Sequence, residues 1–313
     1  MNKLKKIGLT ALAGSLVVTS AFAGAMSVSG GASVGMKNNN NSSTGKSFTM
    51  GNQLTFSGSG ELDNGLDVSL SFVIDQGDDT AIGSGPFDSH SVSIGSDSLG
   101  TLKFNGEGGS SAEGAIDTTA AGDIWDNGFA MGSPSQSSGG NNMMHYTLPT
   151  IADDVKVTAS YTPDGANYQS STSMAVSYTG YDGLTLDYGF GENNETVAAT
   201  ADSTTMKIAY VYGSFTGAYS DHSYDSEAAS SDQDVTSYKL TYTVTDDLSV
   251  SYGSETHETE SATVDEEVTQ ISVSYTTGGM TLTAATTEAD NVGNSTAASA
   301  DKERWNVTAS FAF

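Results

Sequence analysis

Arg304-Trp305-Asn306-Val307-Thr308-Ala309-Ser310-Phe311-Ala312-Phe313 closes the sequence and decides the fold. Trp305, Val307, Ala309, Phe311 and Phe313 fall on every second position, with Arg304, Asn306, Thr308, Ser310 and Ala312 between them. Successive side chains of an extended chain project to opposite faces. The segment therefore reads as a strand with one apolar and one mostly polar face. A helix would place neighbours three and four apart on one side, and that spacing mixes the two sets.

The same alternation recurs upstream. Met26, Val28, Ala32, Val34 and Met36 share a face, as do Leu66, Val68, Leu70, Phe72 and Ile74, with Asp67, Ser69 and Ser71 opposite. Tyr238, Leu240, Tyr242 and Val244 stand opposite Lys239. Sixteen such segments are predicted near 26–36, 48–59, 66–75, 90–96, 100–106, 142–148, 155–162, 172–179, 184–192, 204–213, 215–222, 235–244, 248–256, 267–276, 280–288 and 303–313. Several approach the 9–11 residues that a tilted strand needs to cross a bilayer.

The connections between these strands alternate in length. Short ones fall at 61–65, 97–99, 149–154, 180–183, 214, 245–247 and 277–279. Asp63-Asn64-Gly65, Asp182-Gly183 and Gly278-Gly279 supply residues that accept the positive φ of tight hairpins. Long polar ones fall at 37–47, 76–89, 107–141, 163–171, 193–203, 223–234, 257–266 and 289–302. Short turns at one end and long loops at the other are the asymmetry of a membrane barrel, and a soluble sandwich has no reason to sort its loops in this way. Tyr146, Tyr178, Tyr212, Tyr242, Tyr275 and Phe313 recur on the apolar face near the short turns, where an aromatic ring suits a membrane–water boundary.

The amino terminus has a different character. Lys3, Lys5 and Lys6 precede the apolar stretch from Ile7 to Val18, and Ala21-Phe22-Ala23 ends it. This is the pattern of a secretory signal peptide cut before Gly24. The expected domains are a signal peptide over 1–23 and a barrel over 24–313. Beyond residue 23 no apolar run approaches the length of a membrane helix. The chain has 36 Gly, 4 Pro and no Cys. A thiol-free chain suits passage through an oxidising compartment.

A sheet placed in hydrocarbon must bond every backbone group internally, so it must close, and closure removes its edges. Sixteen strands enclose an aqueous lumen, whereas eight fill with side chains. The expected fold is an all-β, transmembrane antiparallel β-barrel of about sixteen strands. Inward Ser, Thr, Asp and Lys residues agree with a wet interior.

At this point the whole stretch 24–313 resembles the sixteen-stranded general-diffusion porins of Gram-negative outer membranes. The likeness rests on the signal peptide, the strand count, the alternating loops, the final Phe313 and a long third loop. It implies an integral protein of the outer membrane, surrounded by lipid, forming a water-filled channel for passive diffusion of ions and small polar solutes. It implies a homotrimer, with the first strands and loop 76–89 turned towards neighbouring subunits. It also implies recognition of Trp305, Phe311 and Phe313 by the barrel-assembly machinery. In such porins the third loop folds into the pore to form a constriction. Here that loop carries Glu107, Glu113, Asp117, Asp123 and Asp126, with Ile116, Ile124, Trp125 and Phe129 as apolar residues that need a surface to pack on. Inward bases that could face these acids are Lys37, Lys103, Lys156, Lys207, Lys239 and Arg304. With a single Arg the dense guanidinium ladder of the family is missing. A pore dominated by acids, with a mild cation preference, is the expectation. A channel specific for one solute and a secreted β-rich adhesin are the rival readings.

The formal charge of −27 argues against nucleic acid as a partner. His90, His145, His222 and His257 are scattered, with no His/Cys metal spacing and no phosphate-binding glycine loop. No enzyme activity, cofactor or metal is expected. The acidic stretches Asp221 to Asp234 and Glu258 to Glu267 match no calcium-loop spacing and read as solvated surface.

Overall fold

The computed structural model describes residues 24–39, 45–75, 87–126, 128–163, 169–196 and 199–313, without the side chains of 39 and 194–199. The expected signal peptide lies outside these residues. The strands are β1 (Ala25–Asn39), β2 (Lys46–Glu61), β3 (Asp67–Asp75), β4 (Phe87–Ser96), β5 (Gly100–Glu107), β6 (Met143–Thr147), β7 (Val155–Thr162) and β8 (Ser171–Tyr181). They continue as β9 (Leu184–Thr196), β10 (Ala199–Tyr212), β11 (Phe215–Ser226), β12 (Gln233–Thr245), β13 (Leu248–Thr259), β14 (Glu266–Thr277), β15 (Met280–Asp290) and β16 (Lys302–Ala312). Each strand pairs antiparallel with its sequence neighbours, and β1 pairs with β16 to close the barrel.

The alternation decides which way side chains point. Tyr238, Leu240 and Tyr242 on β12 are exposed on the outer surface, while Ser237, next to Tyr238, is buried inside. On β14, Ile271, Val273 and Tyr275 face out, and Val268 and Gln270 face in. The large apolar side chains thus form an outer band that stays exposed among the described residues, the arrangement expected when lipid takes the place of a core. Gly65, Gly183, Gly213 and Gly279 have positive φ in the short turns, as the turn geometry requires.

The closing seam is well bonded. Gly30 N–H donates to Phe313 O at 2.8 Å and Phe313 N–H donates back to Gly30 O at 3.0 Å. A Cβ on Gly30 would stand 2.8 Å from the Phe313 ring, so the glycine makes room for the last aromatic. Tyr178, Tyr212, Tyr242, Tyr275 and Phe313 are exposed near the short turns. Tyr146 is half-buried and donates its hydroxyl to Leu99 O at 2.6 Å.

Several strands run further into the loop end than the alternation predicts. Residues 193–203, expected as a loop, are mostly ladder, with β9 reaching Thr196 and β10 starting at Ala199. Those extensions carry polar residues and, at Ala199 and Ala201, only small apolar ones, so no strong period-2 hydropathy marks them. Backbone pairing needs none and continues beyond the apolar band. Loop 76–86, the core of the segment expected to face other subunits, lies outside the described residues.

Candidate functional site

Residues 108–142 leave β5 and lie along the inner wall. On the outward leg Ala112 N–H donates to Ser160 Oγ on β7 at 2.9 Å, and Glu113 N–H donates to Ser173 Oγ on β8 at 2.7 Å. Ala120 and Ala121 N–H donate to Ser220 Oγ on β11 and Ser237 Oγ on β12, at 2.8 and 2.9 Å. Ile124 and Trp125 N–H donate to the two carboxylate oxygens of Glu255 on β13, at 3.1 and 3.0 Å. Phe129 then meets β16, where the Arg304 guanidinium carbon lies 5.8 Å from its ring centre. On the way back Ser135 N–H donates to Gln233 Oε1 at 3.0 Å, and Gln136 O accepts from Asn193 Nδ2 at 2.9 Å. The loop therefore crosses the wall from β7 to β16 and returns over the same strands.

The wall is thinned to receive it. Ser160, Ser173, Ser220 and Ser237 are short inward residues, each offering a hydroxyl to a loop N–H that would otherwise be buried without a partner. Opposite the loop β9 carries glycine. A Cβ on Gly189 would lie 2.9 Å from Ile116 Cδ1, and one on Gly191 would lie 2.7 Å from Ser137 Cβ. Ala121, Ile124, Phe129 and Met131 of the loop bury against Val268 and Ala289 of the wall, with Trp125 and Val292 packed alongside. Ala112 and Ile116 bury against Ala175. The apolar residues of an otherwise polar loop thus form a dry seam.

The other side of the loop faces the lumen. Asp117, Asp123 and Asp126 are exposed there. Asp117 accepts from Lys207 Nζ at 3.0 Å and from Thr119 N–H at 3.0 Å. Asp123, held at φ 52°, accepts from Thr119 Oγ1 at 3.0 Å and from Trp125 Nε1–H at 3.1 Å.

Two of the five predicted loop acids are placed differently. Glu113 faces the wall and is fully buried. Its carboxylate accepts from Ser137 N–H at 3.1 Å, Ser137 Oγ at 2.8 Å, Ser203 Oγ at 3.0 Å and Thr205 Oγ1. A buried carboxylate is stable only when its lone pairs are satisfied, and only the wall supplies enough donors. Glu107 is the last residue of β5, beside a register shift and 3.9 Å from His90, well before the acids of the lumen face.

The bases divide as well. Lys207 donates to Asp117 and also to Thr119 O at 3.2 Å, and Lys239 donates to Ala121 O at 3.2 Å. Both lie beneath the loop, on the acids' own side of the lumen, and Arg304 is mostly buried against Phe129. Lys103 pairs in register with His145, and both Lys103 and Lys156 act on that histidine electrostatically. Lys37 sits near the loop end of β1, opposite Ser47 and Asn306. On strands β1 to β5, the wall the loop leaves bare, the inward bases among the described residues are Lys37 and Lys103. Neighbouring inward positions there are Thr49, Gly51, Gln53, Thr55 and Ser57.

Glu255, Thr205, His222 and the serine tethers were not predicted from sequence. Glu255 could have been found as a lone carboxylate on the inward parity of β13. The serines carry no signal, because the same hydroxyls line the bare wall.

A model of the Gram-negative porin family matches residues 8–262. The chain belongs to that family. It is an outer-membrane porin, with a closed sixteen-stranded barrel. Its fold is similar to that of a loop-eight deletion variant of OmpT, an outer membrane protein of Vibrio cholerae, with TM-score 0.70 and 16% identity over 93% of this chain and 100% of that one. An anion-selective porin from Comamonas acidovorans aligns with TM-score 0.67 and 15% identity, over 92% of this porin and 99% of the other. A substituted Rh. blastica porin aligns with TM-score 0.70 and 14% identity, over 92% and 100%. No curated protein matches by sequence.

Proposed function

We propose that this porin passes ions and small hydrophilic solutes by passive diffusion, with a mild preference for cations. One arrangement carries the reading: the exposed acids Asp117, Asp123 and Asp126 look into the lumen, while Lys207 and Lys239 are bonded into the loop on the same side. A solute in the gap meets carboxylates on one side and mostly hydroxyl and amide groups on the other. Such a gap attracts cations through unscreened charge. The formal net charge of −27 acts in the same direction over longer range.

The reversal potential across a planar bilayer in a KCl gradient tests this. Cation preference is expected in the native porin, and replacing Asp117, Asp123 and Asp126 with Asn should move the potential towards the anion side. Anion preference in the native porin would reject the reading. The general-diffusion part predicts that no single sugar, phosphate or amino acid saturably blocks the current.

In the same reading the porin is a homotrimer, delivered by its signal peptide and assembled through its last strand. Phe56 and Phe72 stack on the outside of β2 and β3 with ring centres 4.8 Å apart, and Phe87 lies 6.1 Å beyond. This aromatic patch on the first strands supports a subunit contact there. Cross-linking in native membranes should give a trimer whose yield falls when Phe56 and Phe72 are replaced by Lys.

A further inference from the structure

We infer that Glu113, Thr205 and His222 form a buried latch that traps one proton as a carboxylate–imidazolium pair, and that this pair positions loop 108–142. The inference rests on the reading of that loop as the constriction.

Hydrogen-bond accounting carries the argument. His222 Nε2 lies 2.7 Å from Ser135 O. A carbonyl oxygen can only accept, so Nε2 carries a hydrogen. On the other side of the ring, Nδ1 lies 2.8 Å from Thr205 Oγ1. That hydroxyl also bonds Glu113 Oε1. A threonine hydroxyl has one proton to give, so it cannot donate both to Glu113 and to Nδ1. A neutral Glu113 that gave an Oε1 hydrogen to Oγ1 would leave Oε2 as a carbonyl oxygen accepting three hydrogen bonds on two lone pairs. With Glu113 ionised the hydroxyl proton goes to the carboxylate, Nδ1 donates to Oγ1, and the ring carries hydrogens on both nitrogens. Four donors converge on the Glu113 side chain, three of them on Oε2, which is the coordination of an anion. His222 Nδ1 stands 3.6 Å from Glu113 Oε1, and both side chains are completely buried. Charges this deep persist only as a bonded pair.

Among the described residues, few other charged groups bear on the pair. From β10, Lys207 is engaged by Asp117. From β12, Asp234 on the outer face acts on His222 electrostatically, while Val235, opposite His222 in register, is apolar. Asp221 flanks His222 on the outer face of β11. From β8, β9 and the loop the neighbours are the neutral Ser173, Asn193, Ser135 and Ser137.

The latch joins both legs of the loop. Glu113 belongs to the outward leg and bonds Ser137 on the return leg; His222 bonds Ser135 on the return leg. Loss of the proton leaves Nδ1 and Oγ1 facing each other 2.8 Å apart with no hydrogen between them. Gain of a second proton on Glu113 removes one of its acceptor sites. Either change loosens both legs together.

The decisive measurement is nitrogen NMR of the full porin in lipid, labelled at histidine, with His222 assigned by comparison with His222→Gln. At neutral pH both ring nitrogens of His222 should show a bound hydrogen. A bare nitrogen on His222 would overturn the latch. Single-channel recordings supply the second arm. Glu113→Gln and His222→Gln should each raise the frequency of current flicker several-fold, and the double variant should flicker no more than either single one, as expected of coupled residues. Additive effects would overturn the pairing. Quiet currents in all three variants, together with an imidazolium signal, would preserve the latch and sink the constriction reading instead.

Discussion

Lys207 and Asp117 form the contact that most directly sets the charge of the lumen. Their 3.0 Å pair is only partly shielded, with side-chain exposures of 19% and 43%, so it is worth about 0.5–1 kcal/mol once solvent screening is allowed for. Its influence on permeation exceeds its influence on stability, because a charge in a narrow aqueous gap acts on every passing ion. Replacing Lys207 with Met leaves Asp117 unpaired and should strengthen cation preference. Asp117→Asn leaves Lys207 unpaired and should weaken it. Reversal potentials in a KCl gradient should move in opposite directions for the two variants. Movement in the same direction would show that the pair acts through loop position rather than charge. Both shifts should shrink at 1 M salt, where the screening length falls to about 3 Å.

The loop's seat is a property of whole elements. Ile124 and Phe129 lie in the apolar seam against β14 and β15, and burying a side chain of this size is worth roughly 1.5–3 kcal/mol. Truncating one to Ala should cost about 2–5 kcal/mol where the site cannot collapse, and that cost falls on the seating of the loop. Ile124→Ala should therefore leave the heat resistance of the barrel unchanged on a gel and increase open-channel noise. A lower unfolding temperature with quiet currents would make the seam part of the barrel's own stability. In the opposite sense, Gly189→Leu should push the loop off the wall towards the axis and reduce single-channel conductance, since a Cβ there already meets Ile116 at 2.9 Å. Ile116, Ile124 and Phe129 were legible in the sequence as loop residues in need of a surface. The strands were legible wherever one face met lipid, as at Tyr238, Leu240 and Tyr242. The partners of the loop were not, because Ser220 or Ser237 reads no differently from Ser57 on the bare wall. Glu113 was misassigned for a related reason: composition shows that a carboxylate is present, and only the paired strands show that Ser203, Thr205 and His222 converge on it.

At the scale of the whole molecule the outer surface carries a second pattern above its apolar band. Near the loop end of β9 to β16, outward acids face one another directly across the ladder: Asp202 opposite both Glu192 and Asp225, Asp234 opposite Glu258, Glu267 opposite Asp290, and Glu288 opposite Glu303. Like charges directly opposite on one face destabilise a strand pair by roughly 0.2–1 kcal/mol. Closure makes these costs tolerable, since a ring of sixteen bonded strands cannot relieve the repulsion by fraying one edge. The barrel should therefore be stabilised by salt, in contrast to a protein held by surface ion pairs, which salt weakens. Its unfolding temperature in detergent should rise between about 0.01 and 0.5 M NaCl as the Debye length shortens from roughly 30 Å. Replacing Asp202 with Asn and Glu258 with Gln removes three of the five facing pairs. That variant should be more stable than the native porin at low salt and should lose most of the salt dependence. An unchanged salt slope would place the repulsion elsewhere, with the lumen acids Asp117, Asp123 and Asp126 as the next group to neutralise.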